Sequence, residues 1–167
     1  VRTSRNVARL MEATRTGNLK LLKSIVQRNE RILKENPQVL LEACRWGYSP
    51  VVRYFFLELK EPINRPYNSA TTPLHEASRR GHCCVVEVLL KRGAPIDIRN
   101  SEQETPLHEA ARWGKWPVAA LLLKHGARLT VKNKYGMTPT DVAKQNNRAE
   151  AIKVLQSAIV PRSREKD

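Results

Sequence analysis

Two apolar runs, Val85-Val86-Glu87-Val88-Leu89-Leu90 and Val118-Ala119-Ala120-Leu121-Leu122-Leu123, stand thirty-three residues apart, each a short distance beyond a glycine, Gly81 or Gly114. Ahead of each glycine lies the same six-residue segment, Thr72-Pro73-Leu74-His75-Glu76-Ala77 and Thr105-Pro106-Leu107-His108-Glu109-Ala110, which returns in degraded form as Thr138-Pro139-Thr140-Asp141-Val142-Ala143. Thr is a good N-cap and Pro suits the first turn, where an N–H would be orphaned anyway. Each copy therefore predicts a first helix, a left-handed turn at the glycine and a second helix over the apolar run, closing at Gly93-Ala94 or Gly126-Ala127. The alternating Ile96-Asp97-Ile98 and Leu129-Thr130-Val131 predict a short β-hairpin into the next copy. A unit this small cannot bury its own apolar face and must stack on its neighbours. The expected fold is an all-α repeat solenoid with an extended contact surface and little reason for a catalytic cleft.

The recurring T-P-L-H-E-A, the glycine nine residues beyond the Thr, the V-L-L run and the Gly-Ala pair resemble the ankyrin-repeat family. The pattern extends to Gln38–Gly47 with Pro50–Leu57, and to Ala8–Gly17 with Leu19–Val26. Five units result, about 1–37, 38–71, 72–104, 105–137 and 138–160, forming one domain over 1–160, with a basic, polar tail at 161–167 expected to be disordered. The outer units are imperfect, as capping repeats that face water should be. In the first unit the charged stretch 29–36 could extend the second helix as far as Pro37, and in the last Asn147 stands where the glycine belongs, which a left-handed turn tolerates.

At 41% apolar residues, with no apolar run near the length of a membrane span, the chain reads as neither disordered nor membranous. It opens at Val1 without a Met and reads as an excised domain. Cys44, Cys83 and Cys84 show no C-x-x-C spacing, so neither a disulfide framework nor zinc is expected. Cys44 reads as a small buried hydrophobe, and reduced thiols point to an intracellular setting, cytoplasmic or nuclear. Catalytic signatures come close and fail. His75-Glu76 and His108-Glu109 begin like H-E-x-x-H, but Arg79 and Arg112 occupy the second His position. Gly114-Lys115 has neither the glycine five residues earlier nor the following Ser or Thr of a phosphate loop. No catalytic residue, metal or cofactor is expected. The resemblance implies that His75 and His108 are structural, hydrogen-bonding between neighbouring units.

Charge is the strongest functional signal. Thirty Lys and Arg against sixteen Asp and Glu leave +14, which points to an acidic partner, a nucleic acid or an anionic surface. The excess is uneven: residues 1–37 carry nine basic side chains against three acidic, and 105–137 carry six against Glu109 alone. In register, Arg15, Arg45, Arg79 and Arg112 each fall two residues before a glycine, followed by Thr16, Trp46, Arg80 and Trp113. In ankyrin-like stacks this part of the first helix, with the hairpin tips, forms the concave protein-binding surface. The resemblance thus implies a partner-binding set of Arg15, Arg45, Trp46, Arg79, Arg80, Arg112 and Trp113, with Arg99, Lys132 and Tyr135 at the tips. Arginine forks hold carboxylates or phosphates bidentately, and a groove Trp is a typical hot spot. Against this, Glu12, Glu42, Glu76 and Glu109 each lie three residues before their Arg and could neutralise it from the same helix or an adjacent unit, leaving Arg80 as the extra cation. The favoured reading is a monomeric, non-catalytic module for an acidic or phosphorylated protein segment. A binder of single-stranded RNA or DNA and a scaffold docking within a larger parent protein stay open.

Overall fold

The computed structural model describes residues 2–29, 31–60 and 62–158. Within them lie α1 (Arg2–Arg15), α2 (Leu19–Arg28), α3 (Arg31–Glu35), α4 (Gln38–Trp46), α5 (Ser49–Leu57), α6 (Pro73–Arg80), α7 (Cys83–Lys91), α8 (Pro106–Arg112), α9 (Trp116–Lys124), α10 (Pro139–Gln145) and α11 (Ala149–Ser157). A single 3-10 turn covers Asn68–Ala70. The first helices α1, α4, α6, α8 and α10 touch in that order, and the second helices α5, α7, α9 and α11 stack beside them. Two layers of helices therefore enclose one continuous core. Leu10, Leu22, Phe55, Leu74, Leu89, Leu107, Leu122 and Leu155 are fully withdrawn from water between the layers. Complete burial of such a side chain contributes about 1.5–3 kcal/mol, and only the stacked neighbour makes it possible.

The T-P-L-H segment caps its helix through the His as well as the Thr. Glu104 O lies 2.9 Å from His75 Nε2 and Met137 O lies 3.1 Å from His108 Nε2. A carbonyl only accepts, so Nε2 carries the proton and Nδ1 is left to accept. It takes the backbone N–H of Thr72, or of Thr105 in the next unit, at 3.2 Å. Each ring thus ties the start of one first helix to the residue just before the next unit's Thr. Burial pushes both imidazoles below their usual 6.5. Cys44 is buried, with its thiol pushed well up by desolvation, and all three cysteines are free thiols.

The glycines that end the first helices are required on two grounds. Gly17 and Gly47 have φ of +69° and +79°, and a Cβ on either would come within 2.4 Å of a ring of the following unit, Tyr48 or His82. Asn147 takes the equivalent place in the last unit with φ of +54°.

Two expectations change. The second helix of the first unit does not run on to Pro37: it stops at Arg28, Asn29 turns away with φ of −154°, and α3 is a separate turn of helix. The connections between units also carry no strand among the described residues, so the expected β-hairpins are turns only. Asn100 Oδ1 accepts the N–H groups of Glu102 and Glu104 at 2.9 and 3.0 Å, and Asn133 Oδ1 accepts those of Tyr135 and Met137, both at 3.0 Å. The side chain supplies bonds that a ladder would otherwise provide. Successive fingers are then joined by single main-chain bonds, Ser101 N–H to Ser69 O and Lys134 N–H to Glu102 O, each 3.0 Å. The tail at 161–167 lies outside the described residues.

Candidate functional site

The first helices end at their glycines, and there the side chains of three adjacent units converge. Arg45, Trp46, Arg79, Arg80, His82, Trp113 and Lys115 line an open recess of about 360 Å³. Among the described residues no carboxylate lines it. Trp46 and Trp113 are 49% and 42% exposed, large apolar surfaces left in water at its rim. Five of the seven were expected at a partner-binding surface; His82 and Lys115 were not. Their signal was the register: Tyr48, His82, Lys115 and Arg148 each directly follow the glycine, or its substitute Asn147, and recur at intervals of thirty-four, thirty-three and thirty-three. Each packs back over the glycine of the unit before, His82 on Gly47 and Lys115 on Gly81. His82 Nε2 reaches Arg45 O at 2.8 Å and Arg148 Nε reaches Arg112 O at 2.9 Å, so these donors also satisfy carbonyls at the ends of the preceding first helices.

The arginines differ in how they are held. Arg45 bridges two units, donating to Glu42 on its own helix and to Glu76 of the next unit, the latter at 2.8 Å. Arg80 also donates to Glu76, at 3.1 Å. Arg80 is therefore not the extra, unpaired cation that the sequence suggested. Glu76 and Arg80 stand i,i+4 on one helix, so they face the same side one turn apart. Arg15 turns to Glu42 at 3.7 Å rather than to Glu12, and Arg112 turns away from Glu109 to pair with Glu104 on the finger. Of the four aligned Glu–Arg pairs, Glu42 with Arg45 is the one that forms an ion pair within its helix among the described residues. Arg79 behaves differently: its guanidinium lies over the Trp113 ring, 4.8 Å from the centroid, and it makes no ion pair among the described residues. Lys115, with its stem laid along Gly81, makes none either.

A second hollow of about 440 Å³ shares Arg45 and Arg79 with the recess and extends to the fingers, its lining including Glu76, Glu102, Glu104 and Glu109. Burial and the charge of Glu104 push the Glu109 carboxyl above the ordinary carboxylate value, with Arg79 and Arg112 opposing. At Glu76 burial also pushes upward, but the hydrogen bonds from Arg45 and Arg80 outweigh it and hold the carboxyl low. Glu104 is a buried hub, accepting from Arg112 and, at 3.0 Å, from Asn133 Nδ2. The expected tip residues sit on the fingers, exposed, and line neither hollow: Arg99 bonds Gln103 at 3.2 Å, Tyr135 donates to Glu102 at 2.9 Å, and Lys132 points to solvent. Trp116, 49% exposed, lies on α9 outside both. Among the described residues no group of His, Cys, Asp and Glu is arranged to hold a metal, and no helix is long and apolar enough to cross a membrane.

The stacked helix pairs and their fingers define the class of protein, and sequence comparison agrees. The chain matches the family described as ankyrin repeats (3 copies) over residues 10–100 and again over 74–164, and it belongs to that family. Ankyrin repeats are protein-interaction modules, and the family is generally non-catalytic. Among curated proteins the chain is similar to BCL-6 corepressor-like protein 1 of Mus musculus, 34% identical over 64 residues, which is 38% of this chain and 4% of that protein. It is also similar to scaffold protein ILK of Homo sapiens, 40% identical over 57 residues, 34% of this chain and 13% of that protein. The chain thus spans only a small fraction of the length of either relative.

Proposed function

We propose that this domain is a non-catalytic recognition module that captures an acidic or phosphorylated protein segment in the recess walled by Trp46 and Trp113. One observation carries the reading: five cationic or imidazole side chains and two exposed indoles share a hollow with no carboxylate among its described lining residues. In water such a group of cations repels itself, and an anionic ligand removes that cost while the indoles bury apolar surface. The resemblance of part of the chain to proteins named as a scaffold and a corepressor-like protein supports an adaptor role. The three free thiols support an intracellular setting.

The test needs a variant that removes charge from the recess without touching the core. Arg80→Glu is unsuitable, because it would set a second carboxylate against buried Glu76. The double variant Arg79→Gln/Lys115→Gln neutralises the two cations that have no ion pair among the described residues without adding a carboxylate beside Glu109, and its stability should stay within about 1 kcal/mol of the parent. On an array of acidic, phosphorylated, neutral and basic peptides, the parent chain should retain the acidic or phosphorylated spots and the double variant should lose them. Retention of basic or neutral peptides by both proteins would sink the reading. Sequence-indifferent, steeply salt-dependent binding of single-stranded RNA in preference to any peptide would replace it with the nucleic-acid reading.

A further inference from the structure

Resting on that reading, we infer that the recess is a receptor for a phosphorylated side chain of the partner, a phosphomonoester in preference to a carboxylate. The cations of the recess divide into two sets. Arg45 and Arg80 have given their Nε–H groups to Glu76, and Arg45 has given Nη1 to Glu42 as well. Arg79 and Lys115 have no carboxylate partner within 4 Å among the described residues, and although Glu109 feels the charge of Arg79 at longer range, neither cation has given a hydrogen-bond donor to a carboxylate. A carboxylate brings one negative charge and two oxygens. A phosphomonoester brings about two charges and three terminal oxygens, and it matches both cations at once.

The donors are also disposed for it. The Arg79 guanidinium rests on the Trp113 ring 4.8 Å from its centroid, a contact that restrains it, and none of its N–H groups is given to a carboxylate among the described residues. Lys115 is braced on Gly81, where the missing side chain lets the Cδ methylene lie 3.0 Å from where a Cβ would stand. Both cations are therefore held before the ligand arrives, and less side-chain entropy is lost on binding than for two free surface side chains. The remaining Nη groups of Arg80, which Glu76 holds through Nε, add donors beside them. His82 contributes no charge-specific contact in its neutral form, because its Nε2–H is committed to Arg45 O.

The measurement uses immobilised degenerate peptide pools with identical flanks and a fixed central phosphoserine, phosphotyrosine, glutamate or serine. Vesicles containing a phosphoinositide and a single-stranded RNA serve as separate arms. The parent chain should be retained by one or both phosphorylated pools about tenfold or more above the glutamate pool. Arg79→Gln and Lys115→Gln should each reduce that retention severalfold while shifting retention on the glutamate pool much less. Circular dichroism melting of each variant shows that it is folded. Equal retention on phosphorylated and glutamate pools would overturn the inference and leave the acidic-segment reading standing. Binding to vesicles or RNA with no retention on any anionic pool would overturn both. A loss in Arg79→Gln and Lys115→Gln equal on all pools would also overturn it, since it would show a general charge effect.

Discussion

Glu76 and Glu109 occupy the same place in two copies of one motif, yet their surroundings push them in opposite directions. Between the second and third units the junction is closed: Arg45 from one side and Arg80 from the other hold Glu76 low, and its side chain is 2% exposed. Between the third and fourth units it is open, because Arg79 lies on Trp113 instead of hydrogen-bonding the next unit's Glu109. The closed junction commits Arg45 and Arg80 to a carboxylate, whereas at the open one Arg112 pairs with Glu104 and Arg79 keeps its guanidinium out of any ion pair among the described residues, which is what the proposed capture of an anion requires. Total charge is therefore a poor guide to where a basic repeat protein binds. What counts is the difference between cations present and cations already committed.

The largest effect should come from breaking the closed junction. Glu76→Ala removes the acceptor shared by Arg45 and Arg80 and opens a void under them, and urea unfolding should show a loss of about 2–3 kcal/mol, discounted for the partial exposure of both arginines. Opening the other junction further is a question of binding. Trp113→Ala removes the platform of Arg79 and should weaken capture of the retained peptide by about 2 kcal/mol with little change in melting temperature. Unchanged affinity would show that the indole is only a surface ornament.

Acid should act on both junctions through the neighbouring imidazoles. His75 and His108 are held neutral, so the unfolded chain binds protons there more readily than the folded one. Their contribution is fully present above the unfolded value of 6.5 and is lost as pH falls below it. Glu76, held low, adds a second loss as pH falls below 4.5, the value it has when unfolded. A melting temperature that rises on acidification from neutral pH to 5 would contradict this account of the imidazoles.

Smaller still is Glu109→Gln. A carboxylate whose folded pKa is raised costs stability when ionised, so removing its charge should be neutral or stabilising by up to about 1 kcal/mol at neutral pH, opposite in sign to Glu76→Ala. A clear loss would show that Arg79 pairs with Glu109 in solution, which would close the comparison. The least effect belongs to Lys20→Glu/Lys23→Glu on the second helix of the first unit. It breaks the surface pair of Lys23 with Glu58 at 2.8 Å and takes the ammonium from over the Tyr54 ring, 4.8 Å from its centroid, and both stability and peptide capture should shift by less than about 1 kcal/mol.

Repeat length, helix pairs and glycine turns were legible in the sequence, because each is a local or periodic property, and the resemblance to ankyrin repeats implied the structural role of His75 and His108. Alignment of the units, at intervals of thirty-four and thirty-three residues, put Arg45, Arg79 and Arg112 in register with Trp46, Arg80 and Trp113 beside them, and the resemblance implied that they share a surface. The fingers were not read correctly, since alternation at Ile96-Asp97-Ile98 promised strands while Asn100 and Asn133 closed the turns with their own side chains. What only the tertiary structure decided is which cation meets which carboxylate. Spacing offered Arg15, Arg45, Arg79 and Arg112 the same intrahelical Glu, but a long flexible side chain chooses among every acceptor within reach, including those of the next unit and the finger. Arg45 and Arg80 found Glu76, Arg112 found Glu104, and Arg79 found an indole. Those choices depend on distances of a few ångström across the stack, and they separate a neutralised arginine from one left open to a ligand.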